Sequence, residues 1–266
     1  MIFDTHAHYD DHQYDSDREA VLASLSEYKV RALTNISADM ESVQTTLDLA
    51  YRYEFIYAAV GVHPDGVPGL TEKDMETLKA LVQEDRKRER PKIVAVGEIG
   101  LDYYWDDVPK ETQIPWFIRQ IELSEELDLP IVVHSRDAAK DTYDLLKTYK
   151  TGEGAGIIHC FSYSKEMARQ FLDLGYYIAL GGVTTFKNAK NAKEVAAYVP
   201  KDRLLLETDC PYMAPVPFRG KRNDSRLINH IVPVIAELRK ETPEEIERQT
   251  FENALRLYRI RDLKVI

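Results

Sequence analysis

The chain has 266 residues, 44% apolar and 30% charged, and its 45 acidic against 35 basic side chains leave a net charge of −10. That apolar content with 10% aromatics excludes a disordered chain, and 12 Gly with 12 Pro exclude collagen-like or low-complexity repeats. Two cysteines, an N-terminus reading MIFDTHAHYDD and no apolar run of about 18 residues set the expectation of a cytoplasmic protein without disulfides or a membrane span.

Short apolar runs alternate with amphipathic stretches. The strand candidates are 2–3, 30–36, 56–62, 93–99, 130–134, 156–161, 176–180 and 204–206. Helical spacing runs through 114–127, 137–149, 165–174 and 227–238. Gly175 supplies a stop after the third of these. Thr242-Pro243-Glu244-Glu245 opens a final helix with an N-cap, a proline in its first turn and early acids. Eight units over this length give about 33 residues each, close to what a β/α unit needs. Near-continuous apolar strands suit a parallel sheet buried on both faces. With no linker or composition shift, the pattern predicts one domain over 1–266, an α/β fold built as a (β/α)8 TIM barrel.

Chemistry gathers at the strand ends. His6 and His8 lie two residues apart, so an extended chain turns both to one face. His63, Glu98, His134, His159 and Asp209 each close a different strand candidate, and in a barrel those ends form one rim. Five of the seven histidines therefore fall on the rim, the pattern of a metal site. Glu207 shares strand parity with Asp209 and is a candidate to support the metal site or face substrate. Alternation turns Cys160 away from the His159 face, and both Cys160 and Cys210 read as packing residues. Arg219, Lys221 and Arg222 read equally as a solvated basic loop or as a clamp for a nonreactive phosphate. Tyr103, Tyr104 and Trp105 follow Glu98 on a loop and read as rim packing, with base stacking the alternative.

The segments D-T-H-A-H at 4–8, G-V-H-P at 61–64, G-E-I-G-L-D-Y at 97–103, H-S-R-D-A at 134–138, H-C-F-S at 159–162, E-T-D-C-P-Y at 207–212 and P-F-R-G-K-R-N at 217–223 jointly resemble the TatD family of metal-dependent deoxyribonucleases. The likeness continues to T-F-E-N-A-L-R-L-Y at 250–258 and so spans nearly the whole chain. It implies two divalent metal ions, one held by His6, His8, Glu98 and Asp209, the other by Glu98, His134 and His159, with Glu98 bridging. Several histidines favour Zn²⁺, Mn²⁺, Ni²⁺ or Fe²⁺, and the resemblance adds Mg²⁺. Counting only Glu98 and Asp209 against two divalent ions predicts an electropositive site.

The implied reaction is phosphodiester hydrolysis, with DNA or an oligonucleotide, single-stranded and attacked from an end, as substrate. Asp209 orients the nucleophile and accepts its proton. His63 contacts substrate or protonates the leaving oxygen, or else is a loop histidine fixed by Pro64. Arg219, Arg222 and Glu207 are the substrate-side candidates, and no stable protein partner is expected. The alternative is an amidohydrolase or lactonase acting on a small-molecule carbonyl, since the same ions polarise either oxygen. A non-catalytic metal-binding scaffold is the reading of a different class. After Arg222-Asn223 the chain has Asp224-Ser225 where many relatives carry Glu-Pro, and losing that proline predicts a looser loop.

Overall fold

Eight strands, β1 Ile2–Ala7, β2 Val30–Ile36, β3 Ile56–Val60, β4 Ile93–Asp102, β5 Ile131–Arg136, β6 Gly156–Ile158, β7 Tyr177–Leu180 and β8 Leu204–Leu206, pair in parallel and in chain order. They come from a computed structural model that describes residues 1–152, 154–261 and 263. Nine α-helices lie among the described residues: α1 Arg18–Ser24, α2 Met40–Arg52, α3 Glu72–Asp85, α4 Lys110–Glu126, α5 Ala139–Tyr149, α6 Lys165–Asp173, α7 Lys190–Tyr198, α8 Ile228–Arg239 and α9 Pro243–Leu257. The result is the expected (β/α)8 TIM barrel. No described helix is long and apolar enough to cross a membrane.

Local chemistry explains the elements. Asp39 and Ser42 form a capping box on α2, and Thr242 and Glu245 form one on α9 with Pro243 at its start. The Gly175 amide donates to the Leu172 carbonyl with Gly175 at φ +96°, ending α6 as expected. Four helices, α1, α2, α3 and α7, were expected only as the helical halves of their β/α units, without bounds. α4 starts at Lys110, four residues ahead of the predicted start, and Pro115 lies inside it.

Two apolar layers follow from strands buried on both sides. One lies between strands and helices. The other fills the barrel, where Phe3, Tyr57, Val132, Tyr177 and Leu205 point inward. Phe251, Leu257 and Tyr258, on and just after α9, plug its lower end, and the Tyr258 hydroxyl donates to the Thr5 carbonyl at 3.0 Å. Burying each such side chain contributes about 1.5–3 kcal/mol.

The barrel closes without a regular ladder between β8 and β1. The His8 amide donates to the Cys210 carbonyl (2.8 Å), and the Asp209 amide donates to the His6 carbonyl (2.9 Å). Closure therefore runs through the backbone of three candidate metal ligands. Asp4 reinforces it: its carboxylate accepts from the Thr208 amide, the Thr208 hydroxyl and the Ser225 hydroxyl.

Candidate metal centre

Glu98 does not end its strand, contrary to the apolar-run reading. β4 continues four residues further, and its register with β5 shifts between Val96 and Ile99, placing Glu98 in an irregularity. Glycines make the close approach possible. A Cβ on Gly97 would sit 2.6 Å from Val132 Cβ, and one on Gly100, at φ +151°, would overlap the His134 carbonyl oxygen. β4 thus lies against β5, and Glu98 Oε1 comes 2.8 Å from His134 Nδ1 and 2.9 Å from His159 Nε2.

The other Glu98 oxygen faces a second group. His6 Nε2 is 3.0 Å from His8 Nε2, 3.3 Å from Glu98 Oε2 and 3.7 Å from Asp209 Oδ1. His8 Nε2 is 3.5 Å from Asp209 Oδ1 and 3.9 Å from Glu98 Oε2. Ligands about 2.0–2.2 Å from a tetrahedral ion stand about 3.3–3.6 Å apart, so these donors already outline a coordination shell. The two oxygens of Glu98 link the six side chains named for metal binding, while the sets whose donor atoms are mutually close are His6, His8 and Asp209, then His6, Glu98 and His159, then His63, Asp102 and His134.

Tautomers test the fit. His8 Nδ1 lies 2.9 Å from the Ile36 carbonyl and must donate to it. His134 Nε2 lies 3.0 Å from Asp102 Oδ2 and must donate there. In the neutral form that binds metal, these rings would turn lone pairs inward, His8 towards His6 and His134 towards a carboxylate oxygen. Lone pairs converging on shared points among acids call for a cation, and the residues fit divalent metal.

Electrostatics agree. Burial would raise the Glu98 carboxyl, but the His159 and His6 charges and hydrogen bonds from His134 and His159 hold it well below the usual range. Burial likewise opposes ionisation of Asp209, and the His8 hydrogen bond with the His159 charge brings it below normal. Burial disfavours the His8 cation, yet the Asp209 hydrogen bond and charge lift it to about 9, so a metal ion binding there would displace the Nε2 proton.

Two acids beyond the ligand set shape the site. Asp102 ends β4 and is nearly fully buried; it is the residue that the sequence reading missed, although it lies within G-E-I-G-L-D-Y. Glu207 is fully buried, accepts from the Cys160 amide at 2.5 Å and faces His159 Nδ1 at 3.5 Å. It therefore backs a candidate ligand rather than facing substrate. Four carboxylates then meet whatever cations bind here, so the surplus positive charge counted from Glu98 and Asp209 alone is absent.

His63 lies 4.0 Å from Glu98 Oε1 through Nε2 and packs edge-on against His134, ring centroids 4.4 Å apart. The Asp65 amide donates to His63 Nδ1 at 3.2 Å, which leaves the neutral ring's proton on Nε2. Arg222 is engaged elsewhere. It pairs with both Asp17 oxygens at 2.8 and 2.6 Å and donates to the Gln13 carbonyl, so it offers no open fork for phosphate. Arg219 lies over the Phe186 ring at 4.5 Å, outside the side chains that line the metal cleft. The loop expected to loosen is held: Ser225 is fully buried between Asp4 and Tyr9, and Asp224 accepts from Arg226. Cys160 stands at φ +44° beyond the end of β6, where strand alternation no longer applies, and burial pushes its thiol up so that it stays neutral. Tyr104 and Trp105 do not pack on the rim; they are 52% and 51% exposed.

The groups open into a cleft of about 350 Å³ lined by His8, Asp10, His63, Glu98, His134 and Asp209 among others. A family model described as TatD related DNase matches residues 3–259. The uncharacterized metal-dependent hydrolase YabD of Bacillus subtilis strain 168 is 44% identical, over 98% of this chain and all of its own length. YcfH of Escherichia coli K12, named in the same words, is 36% identical over 98% of this chain and 96% of its own. The crystal structure of YjjV, a TatD homolog from Escherichia coli K12, superposes with a TM-score of 0.91 at 33% identity, covering 98% of each chain. A PTE-like lactonase mutant from Deinococcus radiodurans, 16% identical with a TM-score of 0.70, shares the fold. Sequence, fold and ligand geometry agree that this chain belongs to the TatD family of metal-dependent hydrolases.

Proposed function

We propose that this hydrolase cleaves phosphodiester bonds in DNA, working from the ends of single strands with two divalent ions. The observation that carries the reading is the form of the cleft. Small-molecule sites enclose most of their ligand in a largely apolar pocket. Here the donor groups lie in a cleft open to solvent, lined by side chains that are mostly ionisable or polar in type, His8, Asp10, His63, Glu98, His134 and Asp209 among them. An open floor suits a chain end lying across it, with bound cations meeting its phosphate. The family model's description as a DNase points the same way.

Two divalent ions there would supply Lewis acidity and a nucleophile at neutral pH. His6, His8, Asp209 and Glu98 would hold one, and Glu98, His134 and His159 would hold the other. Asp209, still partly open to the cleft, orients the attacking water and takes its proton. His63, its proton kept on Nε2 by the Asp65 amide, gives that proton to the departing oxygen. Asp102 and Glu207 hold the His134 and His159 rings in place. Two unpaired cysteines accord with a reducing, cytoplasmic setting.

The test is release of mononucleotides from end-labelled single-stranded oligonucleotides by metal-loaded protein. We expect release by the wild type and a loss of at least 100-fold in Asp209→Ala. Intact DNA alongside hydrolysis of lactones or cyclic amides would overturn the proposal in favour of carbonyl chemistry.

A further inference from the structure

Beside the metal cleft stands a group of planar side chains to which hydrolysis itself assigns no part. Tyr104 and Trp105, each about half exposed, meet edge to face with ring centroids 4.8 Å apart. The Arg136 guanidinium lies 3.8 Å from the centre of the Tyr104 ring and 5.6 Å from that of Trp105. No hydrogen bond or ion pair engages that guanidinium among the described residues, in contrast to Arg222, which is locked to Asp17.

The group is coupled to the metal centre by covalent and hydrogen-bonded links. Asp102 Oδ1 accepts from the amides of Tyr104 (2.9 Å) and Trp105 (3.3 Å), while Oδ2 accepts from His134. Arg136 is two residues beyond His134 on β5, and the Tyr103 amide donates to its carbonyl. The Tyr103 hydroxyl donates to Asp141, anchoring the loop from its other side. One buried carboxylate therefore sets both a metal ligand and two exposed aromatic rings.

We infer that Tyr104, Trp105 and Arg136 form a nucleotide subsite, where an unpaired base stacks on the aromatic rings and Arg136 holds the phosphate next to it. This inference rests on the phosphodiester reading and deepens it. Aromatic faces accept any base, so the subsite grips single strands without reading sequence. A duplex keeps its bases stacked on each other and leaves only a terminal face to offer. Arg136 also supplies what the metal centre lacks. Four carboxylates offset the charge of two divalent ions, so substrate phosphate needs a separate cation, and Arg136 is exposed and stacked with its edge free. Asp106 and Asp107 follow Trp105 on the same exposed loop, so stacking rather than long-range attraction must draw the base there.

The full metal-loaded chain tests this with two single-stranded oligonucleotides, identical except that one carries an abasic end. Base–aromatic stacking predicts about a 5- to 150-fold preference for the base-bearing end in the wild type, expressed in KM. In Trp105→Ala that preference collapses towards unity. In Arg136→Ala both substrates weaken together, and the salt dependence of binding loses about 0.7 from its log–log slope. A titration with the base-bearing oligonucleotide supplies a readout independent of cleavage: fluorescence quenching present in wild type and lost in Trp105→Phe. Preference for the base-bearing end that is absent in wild type, or undiminished in Trp105→Ala, overturns the subsite while leaving phosphodiester cleavage standing. If neither oligonucleotides nor bis(p-nitrophenyl) phosphate are cleaved, the phosphodiester reading fails, and the quenching titration alone then decides: saturable quenching through Trp105 supports the subsite, and its absence overturns it.

Discussion

Asp102→Asn is the sharpest perturbation of the site, because it changes one atom and no volume. Asp102 is 2% exposed and makes three bonds as an acceptor: the Tyr104 and Trp105 amides on Oδ1 and His134 Nε2–H on Oδ2. Asparagine keeps one oxygen and must aim its NH2 at one of these partners. Aimed at His134, it forces Nε2 to accept, and the ring proton moves to Nδ1, the atom 2.8 Å from Glu98 Oε1 that must give its lone pair to metal. Aimed at the loop, it meets two N–H donors and leaves both amides unbonded. The first orientation loses the fixed tautomer; the second keeps it but gives up both loop bonds that hold the carboxamide in place. Replacing a partner of a metal-ligating histidine costs about 10- to 100-fold in affinity, or about 1.4–2.7 kcal/mol. Competition with a chelating dye, followed through two equivalents of Zn²⁺, measures this. The ion at Glu98, His134 and His159 should weaken by that factor, while the ion at His6, His8 and Asp209 changes less than about threefold. Two equivalents bound with wild-type affinities would refute the reasoning.

Arg222→Ala should lower Tm by about 1–3 °C, the worth of a half-exposed ion pair, and leave KM for oligonucleotides unchanged; a raised KM at constant Tm would restore the phosphate role. The same variant should have a flatter acid limb. The Arg222 hydrogen bond and charge hold the Asp17 carboxyl below its ordinary value, so the pair stabilises the fold above about pH 4, and that stability is lost as pH falls through the lowered value; thermal melts between pH 2 and 5 measure it. Gly97→Ala should cost about 3 kcal/mol or more and abolish metal binding, because its Cβ would lie 2.6 Å from Val132 Cβ, whereas Gly69→Ala, at φ +94° with open space around it, should cost about 1–2 kcal/mol; wild-type melting of Gly97→Ala would contradict the packing. Adding Zn²⁺ or Mn²⁺ at about 100 times its Kd to chelator-treated protein should raise Tm by about 5–10 °C, and an unchanged melt would deny that the folded state holds the ion.

The barrel was legible because its strands are apolar on both faces: 30–36 and 204–206 were bounded correctly from composition alone. The ligands were legible because histidines in a 2.0-period run and at successive strand ends have few structural reasons to recur. What escaped depends on contacts that a linear pattern does not carry. The fourth strand candidate stopped at residue 99, with Glu98 read as its closing acid, yet the close approach allowed by Gly97 and Gly100 carries β4 on to Asp102. Arg222 looked free because its partner, Asp17, lies 205 residues away in sequence. Glu207 was placed on the correct face by parity, but parity does not say whether a side chain lies behind a ligand or in front of it. Tyr104 and Trp105 read as packing residues by type, and only the loop's path, set by Asp102, exposes them.

The central claim is that Glu98 is shared between two ions through its two oxygens. Anomalous diffraction from crystals grown with Mn²⁺ tests it most directly. The account predicts two peaks about 3.5–4 Å apart, both within bonding distance of Glu98, one also bonded to His6, His8 and Asp209 and the other to His134 and His159. A single peak at full occupancy, or two peaks with Glu98 bonded to only one of them, would contradict it.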